Sequence, residues 1–243
     1  MVRSRPIQLA ALAGLGLLGS CSREARSCDL QASAIVLYAT VTDGDDGVEV
    51  EIELETGLDE GDSIGTPLSL CSEAGERLEV NGSLAEQVRV LGHVYYVVEF
   101  DDPQSSYVID FVRDEGTITA ELAMPPTFEI GEPAEDAVIA RSEPIPITWS
   151  PTWPEHTISL AIEDRIGSDC LAGLGYTSEV DDLGGVMVGA NQLETGASAK
   201  ADDTCKAWIA LTRSSVAPYP EALHEGGSIE GYVKRRRRFR SSG

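Results

Sequence analysis

Residues 48–55 constrain the fold more than any other part of the chain. Val48, Val50, Ile52 and Leu54 alternate there with Glu49, Glu51, Glu53 and Glu55. A period of two puts the apolar side chains on one face and the carboxylates on the other, an arrangement the 3.6-residue repeat of an α-helix cannot produce. The segment reads as a half-buried antiparallel strand. Ile35, Leu37, Ala39 and Val41 alternate in the same way upstream, and Asp43-Gly44-Asp45-Asp46-Gly47 supplies turn chemistry between the two. Residues 34–41 and 48–55 are therefore expected to form a hairpin. Short strands are expected next at 67–71, then at 77–80 and 83–88 around Asn81-Gly82. Others fall at 90–100, and at 107–112 and 117–123 around Asp114-Glu115-Gly116. About seven short strands at this spacing make an immunoglobulin-like β-sandwich.

Met124-Pro125-Pro126 interrupts the pattern, because proline cannot donate to a strand ladder. Beyond it the alternation resumes in Ile145, Ile147 and Trp149, in Ile158, Leu160 and Ile162, and in Ala207, Ile209 and Leu211. A last strand is expected over 228–241. The 243 residues, 42% of them hydrophobic, leave room for two domains of about 100 residues each. The expected fold class is all-β: two antiparallel Ig-like β-sandwich domains at 34–124 and 125–243. A cleaved signal at 1–20 and a tether at 21–33 would precede them.

The N-terminus carries Arg3 and Arg5 followed by the apolar run Ile7–Leu18, which reads as a secretory signal. It ends in Leu18-Gly19-Ser20-Cys21, which resembles the lipobox of bacterial lipoproteins. The resemblance implies cleavage before Cys21, diacylglyceration of its thiol and acylation of the new α-amine. Several acyl chains anchor firmly where one alone is marginal. The resemblance also implies a place in the bacterial cell envelope. Ser22, where an Asp would hold many lipoproteins at the inner membrane, favours the outer membrane or cell surface. Phe128, Ile130 and Pro133, followed by Ile145-Pro146-Ile147-Thr148-Trp149-Ser150, are similar to the opening strands of bacterial Ig-like domains. Together the two likenesses resemble surface lipoproteins built from tandem Ig-like domains, which brings a fold and an address but no activity.

Cysteines stand at 21, 28, 71, 170 and 205. With Cys21 set aside for lipid, an even four remain, for which three pairings exist. Cys28–Cys71 and Cys170–Cys205 are favoured because each closes a loop within one half of the chain; buried free thiols are the alternative. No CxxC spacing points to zinc or to a thioredoxin-like site.

The formal charge of −23 repels a phosphate backbone, so no nucleic-acid partner is expected. Six of the 18 cations crowd the C-terminus as Lys234, Arg235, Arg236, Arg237, Arg238 and Arg240. They form either a patch for an anionic envelope polymer or glycan, or an edge strand or frayed tail that pairs with the chain's own carboxylates. Lysine-poor acidity of this degree also fits a saline medium. Asp43, Asp45 and Asp46 are weak candidate calcium ligands, since the EF-hand pattern is not met; a solvated polar face is the favoured reading. S-x-x-K, H-E-x-x-H and P-loop signatures are absent from the sequence, no cofactor is implied, and the three histidines lie far apart. Of Trp149, Trp153 and Trp208, Trp153 between Pro151 and Pro154 is the best placed to stack on a sugar; packing is the other role open to all three. The sequence thus leads to the expectation of a membrane-anchored lipoprotein with a non-catalytic structural, adhesion or envelope-assembly role. A carbohydrate-binding module and a calcium-stabilised adhesion domain are the alternatives.

Overall fold

The computed structural model describes residues 25–57, 65–164, 170–172, 175–196 and 204–243. The first half supplies β1 (Ala25–Arg26), β2 (Ile35–Gly44), β3 (Gly47–Thr56), β4 (Leu68–Ser69), β5 (Arg77–Val80), β6 (Ser83–Leu84), β7 (Glu86–Val90), β8 (His93–Phe100), β9 (Ser106–Arg113) and β10 (Gly116–Ala123). The second supplies β11 (Glu129–Glu132), β12 (Val138–Ala140), β13 (Ile145–Ser150), β14 (Thr157–Asp164), β15 (Tyr176–Asp181), β16 (Gly185–Val188), β17 (Cys205–Val216) and β18 (Ser228–Ser242). The protein is all-β, built mainly of antiparallel pairs.

One long sheet runs β15-β14-β17-β18-β2-β3-β8-β7, with β12 joining the far end of β18. Its inner face carries two separate cores. Ile35, Leu37, Val50, Ile52, Leu54 and Tyr96 pack against Leu78, Tyr107, Ile109 and Phe111 of the four-stranded sheet β10-β9-β5-β6. Ile158, Leu160, Ile209, Leu211 and Phe239 pack against Ile130, Ile145, Ile147 and Trp149 of the three-stranded sheet β11-β13-β16. Met124 touches both cores. Ala217, Leu223 and Ile229, late in the chain, belong to the first core.

The β2–β3 hairpin forms as expected, and Gly47 takes φ +128 at its turn, where a side chain is strained and would also meet the Phe100 carbonyl at 3.2 Å. Three readings are corrected. The expected strand 90–100 is broken at Leu91-Gly92, both at positive φ, so that β7 folds back on β8 as a hairpin. The chain over 83–88 also divides, β6 pairing in the four-stranded sheet and β7 at the rim of the long one.

The third correction matters most. The basic strand β18 is neither an edge nor a frayed tail. It lies between β17, antiparallel, and β2, parallel. Its inward face tolerates two arginines because both find acceptors. Arg235 donates to the Asp43 carboxylate at 3.1 and 3.0 Å and to Thr127 Oγ1 at 2.8 Å, while Arg237 donates to the Ile130 carbonyl. Where the two cores meet, β18 carries Gly231. A Cβ there would stand 2.8 Å from Met124 Sδ and 3.2 Å from Leu122 Cδ2, so the small residue lets the end of β10 cross over it.

The disulfides Cys28–Cys71 and Cys170–Cys205 are both formed. The first lies beside a buried network in which Arg113 Nε donates to Glu76 at 2.9 Å and Nη2 to the Ser27 and Leu30 carbonyls. Glu76 accepts as well from Ser27 Oγ and from the Cys71 amide. Charge and hydrogen bonding thus fasten the N-terminal segment to the four-stranded sheet.

Candidate functional site

Among the described residues no second layer packs over the outer face of the long sheet, and the register of β17 and β18 assembles a cationic ladder on it. Across the pair, Lys206 lies opposite Arg240, Trp208 opposite Arg238, Ala210 opposite Arg236, Thr212 opposite Lys234 and Ser214 opposite Tyr232. Lys234, Arg236, Arg238 and Arg240 all point outward because alternate residues of a strand share a face. The six-residue basic patch expected from sequence is therefore split: four of its members form the ladder, and Arg235 and Arg237 turn inward. Lys206 and Trp208 join it only through pairing. Their signal was the alternation of β17, which shows its significance once that strand is set against β18.

Arg238 is held by Asp136 through two bonds of 2.6 Å. These bonds, with the fields of Arg240 and Lys206, keep Asp136 below the usual carboxylate range. Lys234 lies 5.3 Å from the centre of the Tyr232 ring. The Tyr232 hydroxyl donates to Glu230, and that bond, with burial and the Glu230 charge, pushes it up to about 12. Next to Lys234 the sheet dips into a hollow of about 360 Å³ lined by Thr157, Ser159, Glu179, Thr212, Ser214 and Tyr232.

The other end of the same face is acidic. Glu49, Glu51 and Glu53 stand on β3 beside Glu99, Val97 and Tyr95 of β8. Burial, then repulsion from Glu49 and Glu53, raises Glu51; burial, then Glu53, raises Glu55. An acid whose pKa is higher folded than unfolded destabilises the fold while ionised, and relieves it as pH falls through the raised value. Stability is therefore expected to rise from pH 7 toward about pH 5, just above the ordinary glutamate range. Melting temperatures across that range should show a smaller rise in Glu51→Gln; a fall in the wild type as pH drops from 7 contradicts this.

The three candidate calcium ligands do not converge. Asp43 is buried with both oxygens on Arg235, while Asp45 and Asp46 are exposed at the turn. Among the described residues, no group of three or more His, Cys, Asp or Glu side chains gathers as a metal site. Trp153 is half-buried with His156 stacked on its ring at 3.6 Å, so one of its faces is already covered. His93 faces Glu53 at 3.4 Å, and His224 Nδ1 lies 2.6 Å from the Glu225 carbonyl oxygen. Trp149 is core: its indole donates to Asp182 at 2.6 Å. Leu18, Gly19, Ser20 and Cys21 lie outside the described residues.

No family model matches the chain, and the search of curated proteins found no match.

Proposed function

We propose that the chain is a bacterial lipoprotein anchored through acylated Cys21 in the outer membrane or at the cell surface. Its role is non-catalytic: structural, adhesive or part of an envelope assembly. The observation that carries this reading is the pairing of the cysteines. Cys28 with Cys71 and Cys170 with Cys205 use four of the five, which leaves Cys21 as the one cysteine outside both bridges, directly after the lipobox-like Leu18-Gly19-Ser20. Disulfides belong to oxidising compartments outside the cytoplasm, which agrees with export. The two cores, each between the long sheet and a smaller one, support reading the body as two Ig-like sandwiches that share a sheet. Ala25 stands four positions after Cys21, so the first strand begins within ~14 Å of the anchor.

In a producing bacterium fed an alkyne fatty acid, the wild type should take up the label and sediment with membranes. Cys21→Ser should remain unlabelled and leave the membrane fraction or accumulate unprocessed. An unlabelled wild type, or a Cys21→Ser variant labelled and located like it, contradicts the proposal.

A further inference from the structure

We infer that the outer face of β14, β17 and β18 binds an acidic glycan, a sugar chain carrying carboxylate or sulfate groups. The cations of the chain differ in what they meet. Arg26, Arg77, Arg113, Arg213, Arg235, Arg237 and Arg238 each lie against a carboxylate of this acid-rich chain. Arg236, Arg240 and Lys206 form no ion pair among the described residues, and Lys234 meets only the Tyr232 ring. With 41 carboxylates in the chain, four neighbouring cations without an ion pair among the described residues, two of them sharing only the field of Asp136, are unexpected unless something else neutralises them. They lie on one face, and Lys234 to Arg240 spans ~20 Å at the rise of a strand. That length suits a polymer better than a single ion.

Two further features choose a sugar over other polyanions. Trp208 lies between the cations, opposite Arg238 and half-buried, and makes no ring contact among the described residues. An amphipathic indole of this kind offers a flat apolar surface beside polar groups. The hollow at the Lys234 end is lined by the hydroxyls of Thr157, Ser159, Thr212, Ser214 and Tyr232, which donate and accept as sugar hydroxyls require. Glu179 in the same lining repels an anion there, so the hollow takes a hydroxyl-rich unit while the charged groups lie along the ladder. Glu163, next to Trp208 on β14, and the comb of β3 repel polyanions that lack such a pattern.

The inference does not rest on lipidation, and Cys21→Ser should bind as the wild type does. Binding of the full-length chain in non-ionic detergent would be measured by calorimetry in about 0.15 M salt, where long-range attraction is screened. The probes are alginate, dextran sulfate, neutral dextran, polyglutamate and phosphatidylglycerol vesicles. Alginate or dextran sulfate should bind, with neutral dextran, polyglutamate and vesicles at least about tenfold weaker. Arg236→Ser with Arg240→Ser, and separately Trp208→Ala, should each weaken binding about tenfold or more. The variants' cooperative melting, close to wild type, guards against misfolding, and Arg89→Ser on β7 serves as a charge control that should bind normally. Failure of both acidic glycans to bind overturns the inference. So does equal affinity for polyglutamate or vesicles, or indifference to Trp208→Ala.

Discussion

Deleting residues 228–243 is expected to abolish folding of both halves of the molecule together. The segment contributes Ile229 to the first core and Val233 and Phe239 to the second. It also fills the place between β17 and β2, pairing with Cys205–Val216 along one side and with Tyr38–Asp43 along the other. Large-to-small changes at single buried positions of this kind cost about 2–5 kcal/mol each, and whole-domain stability is typically about 5–15 kcal/mol. Removing three such residues and both ladders exceeds that margin. Circular dichroism and thermal melting of the truncated chain check this. A truncated protein that keeps its β-sheet signal and a cooperative transition would mean that the last strand is a dispensable tail. Finer substitutions should separate the cores, Ile229→Ala acting on the first and Phe239→Ala on the second.

Arg213→Met should be the most damaging single substitution outside the apolar core. Arg213 and Asp182 are both fully buried. The guanidinium donates to Asp182 at 2.6 and 3.0 Å, to the Pro126 carbonyl at 2.7 Å and to the Pro151 carbonyl at 2.5 Å, and it lies over the Phe128 ring. It therefore neutralises an acid and also satisfies the Pro126 carbonyl in the connection between the two halves and the Pro151 carbonyl in the turn after β13, neither of which has a ladder partner among the described residues. Removing one member of a buried pair leaves the other charge uncompensated, at a cost of about 3–5 kcal/mol. For a chain of this size that corresponds to a melting temperature lower by roughly 10 °C. Asp182→Asn in the same background should recover part of the loss, and a double-mutant cycle would measure the coupling.

The pH dependence of this pair has a definite sign. Burial alone would raise Asp182, but the bonds from Arg213 and Trp149 outweigh it and hold the carboxyl below its ordinary value. Its contribution is complete above the ordinary aspartate range and is lost as pH falls toward the depressed folded value. The Arg213→Met variant should lack that step.

What could be read from the sequence follows from locality. The alternation of 48–55 and the Asn81-Gly82 turn each carry their meaning within a few residues, and both appear as expected. The disulfide pairing also followed from loop length within each half. Leu91-Gly92 was missed because apolar alternation runs straight through it, and leucine is a poor marker of positive φ. The interior place of β18 was missed for a different reason. Parallel pairing with β2 joins residues almost two hundred positions apart, and nothing near 228–242 announces it. Two inward arginines argued against burial until their acceptors, Asp43 and Ile130, came from elsewhere in the chain. For the candidate site the basic run was plain in the sequence, whereas the selection of its outward members and the addition of Lys206 and Trp208 needed the register. Arg213 falls on the inward side of the alternation Ala207, Ile209, Leu211, and its partner Asp182 comes from the turn after β15.

The proposed anchoring depends on what becomes of Cys21, and the intact mass of the protein from producing cells tests that most directly. The expected species begins at Cys21 and carries a diacylglycerol thioether, with or without a further amide-linked acyl chain. A species that begins at Met1, or one with an unmodified thiol at Cys21, would contradict it.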